Sequence, residues 1–206
     1  MSPLTALKFS AVLIAAFFAV EAVRTRVGTP EVQGPTLAQQ VQSQSPEQTP
    51  ATEPAFAFKG FTLRPLARLG LQARVLRRED YYLGMESDLS PLDLALGWQR
   101  MADPAVYKRL DISQGGRWYR YRWGAEGPPL PQGEIVRSSA NMHLVPANEA
   151  VAAAIDRVKE DQTVRLQGWL VEIRSEDGWM WRSSLTREDS GDGACELIYV
   201  CELESF

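Results

Sequence analysis

The sequence predicts a mainly β (α+β) fold: a small barrel-like antiparallel sheet with one packed helix, preceded by a single N-terminal transmembrane helix and a disordered linker. Residues 9–20 are apolar and uncharged, and residues 28–54 are rich in Gln, Pro, Thr and Ser. The C-terminal half alternates apolar and polar residues between turn sequences, as strands do. The predicted domains are therefore an anchor at 4–23, a linker at 24–55 and a β-rich globular domain at 56–206.

The N-terminal apolar run is long enough to cross a membrane. Residues 4–23 carry charge only at Lys8 and Glu21, and 20 helical residues at about 1.5 Å each span the bilayer core of roughly 30 Å. One interpretation is an uncleaved anchor whose flanking basic side chains reach the interfaces. The alternative is a secretory signal peptide, with Val20-Glu21-Ala22 as its cleavage site. We favour the anchor.

The linker predicts the side of the membrane on which the domain lies. Residues 29–58 contain no Lys or Arg. The linker is also too polar to bury enough apolar surface to offset the entropy that it would lose on folding. The charges beside the apolar run do not settle its orientation, because Lys8 lies near one end and Arg24 and Arg26 follow the other. Since cytoplasmic flanks tend to collect cations and the linker has none beyond Arg26, we expect a single-pass membrane protein whose domain is extracytoplasmic, in the periplasm.

The charge and cysteine content of the domain exclude some functions. Residues 57–206 contain 19 basic and 22 acidic side chains, so a generic nucleic-acid binder is not expected. Cys195 and Cys201 are the only cysteines. On one extended strand they would lie about 20 Å apart, too far for a disulfide. The sequence predicts no cofactor.

The first half of the domain predicts strands and two short helices. Alternating residues predict strands at 56–63 and 71–82. Ser90-Pro91 has the form of a helix N-cap followed by a first-turn proline, which predicts a short helix ending near Gly97. Asp103-Pro104 predicts another short helix over 105–110.

The middle of the domain contains the RWYRYRW sequence and the most regular helical pattern. Strand alternation across residues 117–123 places Arg117 with Tyr119 and Tyr121 on one face. A loop and a short strand at 134–137 are expected next. Residues 146–158 predict a helix, because apolar residues recur along one stripe that includes Ile155.

The C-terminal region predicts three strands joined by tight turns. Residues 163–174 alternate, Asp177-Gly178 is a strong hairpin sequence, and residues 179–185 return. A second turn around Asp192-Gly193 leads into a last strand at 195–203. Both faces of these strands are apolar, which indicates a closed small barrel or a sheet covered by the helix.

The first candidate functional group is His143, the only histidine. It lies in a predicted loop just before the helix, two residues after Asn141. A helix N-terminus favours anions, so a histidine there would stay neutral and could act as a base. The alternative is that Asn141 and His143 only hydrogen-bond the loop and cap the helix.

The second candidate is the polar stretch 183–196. A catalytic interpretation combines His143 with Cys195 or a serine, oriented by Asn141 or Asp189. No catalytic motif or metal-ligand spacing supports it. The alternative is a polar turn in which Arg187 pairs with Asp189 or Glu196. We therefore take Asn141, His143, Arg187, Asp189 and Glu196 as candidate binding residues, and His143, Asp189 and Cys195 as candidate catalytic residues, with no metal ligands.

Two sequences resemble a group of uncharacterised bacterial proteins that carry an N-terminal membrane segment. They are SSANMHLVPA at 138–147 and SSLTREDSGDGACE at 183–196, and DLALGW at 93–98 belongs to the same pattern. The resemblance covers about residues 138–200 and implies no activity, catalytic residue or cofactor. The strand pattern at 164–173 also looks like part of an oligonucleotide/oligosaccharide-binding (OB) barrel.

Two functions remain open after the sequence. The first is a non-catalytic envelope module that binds a protein or a small ligand, with aromatic residues available to hold a sugar or peptide. The second is a hydrolase-like enzyme with a polar site around His143, Arg187 and Asp189. They differ in whether His143 reaches a nucleophile or carboxylate in an open cleft.

Overall fold

The computed structural model describes residues 45–188 and 194–206. Within these ranges the chain forms ten strands, four short α-helices and one 3₁₀ helix. The strands are β1 (Glu47–Pro50), β2 (Phe56–Phe58), β3 (Phe61–Asp80), β4 (Leu92–Gly97), β5 (Leu110–Gly115), β6 (Trp118–Trp123), β7 (Ser139–Pro146), β8 (Thr163–Arg174), β9 (Met180–Arg182) and β10 (Glu196–Ser205). The helices are α1 (Met85–Leu89), the 3₁₀ helix (Gln99–Ala102), α2 (Pro104–Tyr107), α3 (Gln132–Arg137) and α4 (Glu149–Asp156).

Five strands form a ring in which β3 pairs with β4, β4 with β7, β7 with β10, β10 with β8, and β8 again with β3. The 20-residue strand β3 closes the ring, because Thr62–Arg74 pairs with β8 and Arg74–Asp80 pairs with β4. The mainly β prediction with a barrel-like sheet is confirmed. The prediction of an entirely antiparallel sheet is wrong, because β7 and β10 run parallel.

The interior of the ring is apolar and is covered at one end by α4. The helix begins after Asn148, whose side chain accepts a hydrogen bond from the backbone N–H of Val151 at 3.0 Å. Val151 and Ile155 then pack on the barrel core. The predicted helix and its apolar stripe are confirmed. The short helix predicted after Asp103-Pro104 is present as α2, whereas α1 and α3 were not predicted.

The segment between β4 and β7 forms a small structure of its own beside the barrel. Its β5–β6 hairpin, α2 and α3 enclose a second apolar cluster around Met101 and Ile135, against which Tyr119 and Tyr121 pack. Tyr119 and Tyr121 therefore face the cluster, as alternation predicts. Arg117 does not share their face, because it lies in the hairpin turn with φ 68°.

Several predicted elements have a different conformation. Residues 92–97 form strand β4 instead of a helix, and His143 lies in strand β7 instead of a loop. Residues 134–137 belong to helix α3 instead of a strand. The single strand predicted at 56–63 is a hairpin, which turns at Lys59-Gly60 with positive φ at both residues.

The physical reason for the largest error is burial. Each residue of β4 is buried, so its partners in the ring decide its conformation and outweigh the local N-cap pattern at Ser90-Pro91. The same applies to β7, which lies between β4 and β10. A strand that is buried on both faces by such pairing shows no alternation of apolar and polar residues in its sequence.

The N-terminal part of the chain is described only from residue 45. Strand β1 falls inside the predicted linker and pairs with β3, so the folded region begins earlier than residue 56. No helix in residues 45–188 and 194–206 is both long and apolar enough to cross a membrane. The predicted span at 4–23 lies outside the described residues.

The ring depends on a close approach between β8 and β10 at Gly168. A Cβ atom at this position would lie 2.1 Å from the backbone oxygen of Tyr199. We expect Gly168→Ala to lower the free energy of unfolding in urea by about 1–3 kcal/mol or more, because the added methyl group forces the two strand backbones apart. The control is Gly70→Ala on β3, where a Cβ meets nothing within 4 Å. Equal effects would mean that the two strands do not approach so closely.

Candidate functional site

The polar centre of the domain is Asp93, a fully buried carboxylate on β4. Its Oδ1 accepts a hydrogen bond from Nη1 of Arg117 at 2.7 Å, and its Oδ2 accepts one from Nδ2 of Asn141 at 3.2 Å. A buried carboxylate loses several kcal/mol of hydration, which only paired and aligned donors can offset. Asp93 therefore requires the hairpin that carries Arg117 and the strand that carries Asn141.

Arg117 reaches Asp93 from the turn of the β5–β6 hairpin. Gly116 and Arg117 form the two-residue loop, and both have positive φ, which is the geometry of a type I′ turn. The Nη2 of Arg117 also donates to the backbone oxygen of Ser90 at 2.9 Å. Its guanidinium lies 3.9 Å from the ring centroid of Tyr81. These contacts fasten the hairpin tip to the segment that joins β3 to β4.

Tyr81 contributes a second contact to this tip. Its hydroxyl oxygen accepts a hydrogen bond from the backbone N–H of Arg117 at 2.9 Å. Burial raises the pKa of Tyr81 to about 12, and the nearby carboxylate of Asp93 also raises it. The phenol is therefore neutral throughout the physiological pH range.

His143 lies on β7 directly opposite Asp93 on β4 and is 3% exposed. Its Nδ1 is 2.9 Å from Oδ1 of Asp93 without forming a hydrogen bond to it. The imidazole packs against Trp181, with ring centroids 4.9 Å apart. His143 is therefore enclosed within the domain.

Asn141 links Asp93 to the neighbouring surface. Its Nδ2 donates to Asp93 and also lies 3.2 Å from the backbone oxygen of Arg117, while its Oδ1 accepts a hydrogen bond from Nε2 of Gln114 at 2.6 Å. The thiol of Cys195 donates to the same Arg117 oxygen at 3.6 Å. The Asn141 side chain thus joins β7 to strand β5 and to the turn of the hairpin, and it also contacts Cys195 just before β10.

A pocket of about 150 Å³ opens on the other side of Asn141. One wall consists of aromatic rings from β6, and the facing wall carries amide, guanidinium, thiol and carboxylate groups. The lining residues are Trp118, Tyr119, Tyr121, Val136, Ser139, Ala140, Asn141, Thr186, Arg187, Ala194, Cys195 and Glu196. A lining that combines aromatic rings with a few polar groups is typical of small-ligand sites.

The charged groups of the pocket form a pair of their own. Glu196 is 1% exposed and accepts a hydrogen bond from Nη1 of Arg187 at 2.7 Å. Nη2 of Arg187 donates to Oε1 of Gln48 at 2.9 Å, and Nε2 of Gln48 donates to the backbone oxygen of Leu185. Strand β1 thereby holds the segment that carries Arg187. The pocket wall is polar but electrically balanced at this point.

The predicted site residues divide into two groups. Asn141, Arg187, Cys195 and Glu196 line one pocket, and of the two pairings expected for Arg187 the structure contains the one with Glu196. His143 is buried behind Asn141 and is not part of the lining. Asp189 lies outside the described residues.

Sequence reasoning missed the residues that organise the site. Asp93 was interpreted as a helix residue, although it is the one charge within the apolar LDLALG sequence of β4. Arg117 was interpreted as a strand residue, although the Gly115-Gly116 pair before it is a turn sequence. Gln48 lay within the expected linker, where no pattern distinguished it.

No protein-family model, curated protein or solved structure matches this chain. The residues described here contain no group of three or more His, Cys, Asp and Glu side chains placed to hold a metal ion. The function of the pocket is therefore inferred from its geometry.

The Arg187–Glu196 pair gives a test of whether this wall is as buried as its contacts indicate. We expect Glu196→Gln to lower the free energy of unfolding in urea by about 3–5 kcal/mol, because it leaves a largely buried guanidinium without its counter-ion. The matched control is Glu202→Gln, an exposed position on the same strand, expected to change it by less than about 0.5 kcal/mol. If Glu196→Gln has only a small effect on the free energy of unfolding, the Arg187–Glu196 pair is solvated and this wall is not buried.

Proposed function

We propose that this domain is a non-catalytic binding module with an OB-type barrel, and that its pocket takes a neutral saccharide ring. The strand order supports the barrel type. The five ring strands are, in chain order, β3, β4, β7, β8 and β10. Around the ring the first strand is followed by the second, third, fifth and fourth, and the fourth pairs again with the first. Helix α4 lies in the sequence between the third and fourth of these strands. OB barrels bind oligosaccharides and oligonucleotides on the second and third strands and on the loop between the fourth and fifth.

The position of the pocket supports this proposal. Asn141 and Ala140 belong to the third ring strand, β7, and Arg187 and Cys195 belong to the segment between the fourth and fifth, β8 and β10. The β5–β6 hairpin supplies the aromatic wall from the side. The single observation that carries the proposal is this aromatic wall facing a balanced polar wall.

The chemistry of the walls favours a neutral sugar over other ligands. The apolar face of a pyranose stacks on aromatic rings, while its hydroxyls take hydrogen bonds from amide and charged groups. Arg187 is already neutralised by Glu196, so the pocket has no surplus charge for an anion. The net acidity of the domain argues against an oligonucleotide.

The hydrolase alternative receives less support from the geometry. A base needs to reach the proton that it abstracts, whereas His143 is enclosed between Asp93 and Trp181. The thiol of Cys195 is directed to the backbone oxygen of Arg117. Neither group is arranged as a nucleophile with its base.

The tether remains part of the proposal. The apolar run at 4–23 and the stretch at 29–58, which lacks Lys and Arg, support a single-pass membrane protein whose domain lies outside the cytoplasm. Protease added to intact spheroplasts should then remove the domain. Protection in intact spheroplasts, with cleavage only after lysis, would contradict this orientation.

The binding proposal predicts a specific dependence on Trp118. The full chain, purified in a nonionic detergent, is screened against an array of neutral oligosaccharides, and positive glycans are titrated calorimetrically. We expect Trp118→Ala to weaken binding at least about tenfold, because it removes a stacking surface worth about 1.4 kcal/mol or more. The measurement is the dissociation constant.

Trp123→Ala is the matched control for this experiment. Trp123 is on the same strand, β6, but is more exposed and lies outside the pocket lining, so its loss should leave saccharide affinity within about twofold. A protein that binds no neutral glycan on the array, or one that responds equally to both substitutions, would contradict the proposal.

A further inference from the structure

A second cluster of charged groups surrounds Glu172, a buried carboxylate on strand β8. Three arginines from three strands converge on this carboxylate: Nη2 of Arg64 at 3.1 Å from Oε2, Nε of Arg174 at 2.8 Å from Oε1, and Nη1 of Arg182 on Oε2. The register explains the convergence. Arg64 on β3, Glu172 on β8 and Arg182 on β9 are directly opposite one another.

The cluster carries more positive charge than its carboxylate requires. Glu172 is 2% exposed and would be neutralised by one guanidinium, yet three contact it, which leaves a surplus of two positive charges. Burial raises the pKa of Glu172, but the hydrogen bonds from Arg174, Arg64 and Arg182 outweigh it and lower the pKa to about 2. Glu172 therefore stays ionised, and the surplus is constant at neutral pH.

The three guanidinium groups remain open to solvent. The side chains of Arg64, Arg174 and Arg182 are 53%, 60% and 44% exposed. Each guanidinium has five N–H donors and places one nitrogen on Glu172 in the hydrogen bonds above. The buried carboxylate thus gathers the three guanidinium groups at one place, while about half of each arginine side chain stays exposed to solvent.

We propose that Arg64, Arg174 and Arg182 form a binding site for a doubly charged phosphate-type group. Planar guanidinium forks match the tetrahedral oxygens of phosphate and bind them with charge-assisted hydrogen bonds. Two surplus positive charges balance one phosphomonoester dianion. The site is distinct from the saccharide pocket and does not depend on it. The group can belong to a soluble phosphate compound or to a lipid headgroup.

The test is calorimetric titration of the full chain, in a nonionic detergent at pH 7.5, with inorganic phosphate and with dihexanoyl phosphatidic acid. We expect Arg64→Gln combined with Arg182→Gln to weaken binding of both probes at least tenfold, while Arg174 still covers Glu172. The matched control is Arg165→Gln, on β8, whose side chain is equally exposed and pairs with Glu204. It should leave binding unchanged within twofold.

A second variant distinguishes a direct loss of phosphate binding from a folding defect caused by the double substitution. Glu172→Gln keeps the side-chain size and one oxygen that still accepts hydrogen bonds from the arginines, but it raises the surplus to three positive charges, so it should tighten phosphate binding severalfold. At least tenfold tighter binding of the lipid than of inorganic phosphate would identify a headgroup as the source, and equal binding would identify a soluble phosphate group. No binding of either probe at 10 mM, or no weakening in the double variant together with no tightening in Glu172→Gln, would overturn the proposal.

Discussion

The arrangement of the candidate site depends on one interaction, the pairing of buried Asp93 with Arg117. Asp93 has no exposed surface, so its charge must be balanced inside the domain. The balancing guanidinium comes from a hairpin turn, where Arg117 adopts a positive φ that costs a non-glycine residue about 1–2 kcal/mol. That conformation persists because the carboxylate, the backbone oxygen of Ser90 and the ring of Tyr81 hold the side chain from three sides.

The pocket follows from this pairing. Once the hairpin tip is fixed, the aromatic residues of β6 stand opposite β7 and the start of β10, and the space between them is the pocket. Asn141 joins the two parts, since one of its amide atoms contacts Asp93 and the backbone of Arg117 and the other accepts from Gln114. Because these contacts already fix the side chains around the pocket, few of them would lose conformational freedom if the pocket bound a ligand. The buried acid thus shapes a pocket whose lining it does not join.

How much the sequence could predict differs between the two halves of the domain. Strand β8 and the turn at Asp177-Gly178 were predictable, because alternation and turn chemistry are local properties. The grouping of Asn141 with Arg187 and Glu196 was also expected. Strand β4 was not predictable, since it is buried on both faces and has no period of its own. The role of Asp93 depends on a partner 24 residues away, and no local pattern specifies that distance.

The most direct test of the dependence on Asp93 is hydrogen–deuterium exchange of the β5–β6 hairpin. Arg117→Gln removes the counter-ion, whereas Arg120→Gln removes an exposed arginine from the same hairpin. If the pairing holds the hairpin in place, amides of Leu110–Gly115 and Trp118–Trp123 should exchange at least tenfold faster in Arg117→Gln and at the original rate in Arg120→Gln. Unchanged protection of the hairpin in Arg117→Gln would contradict the account.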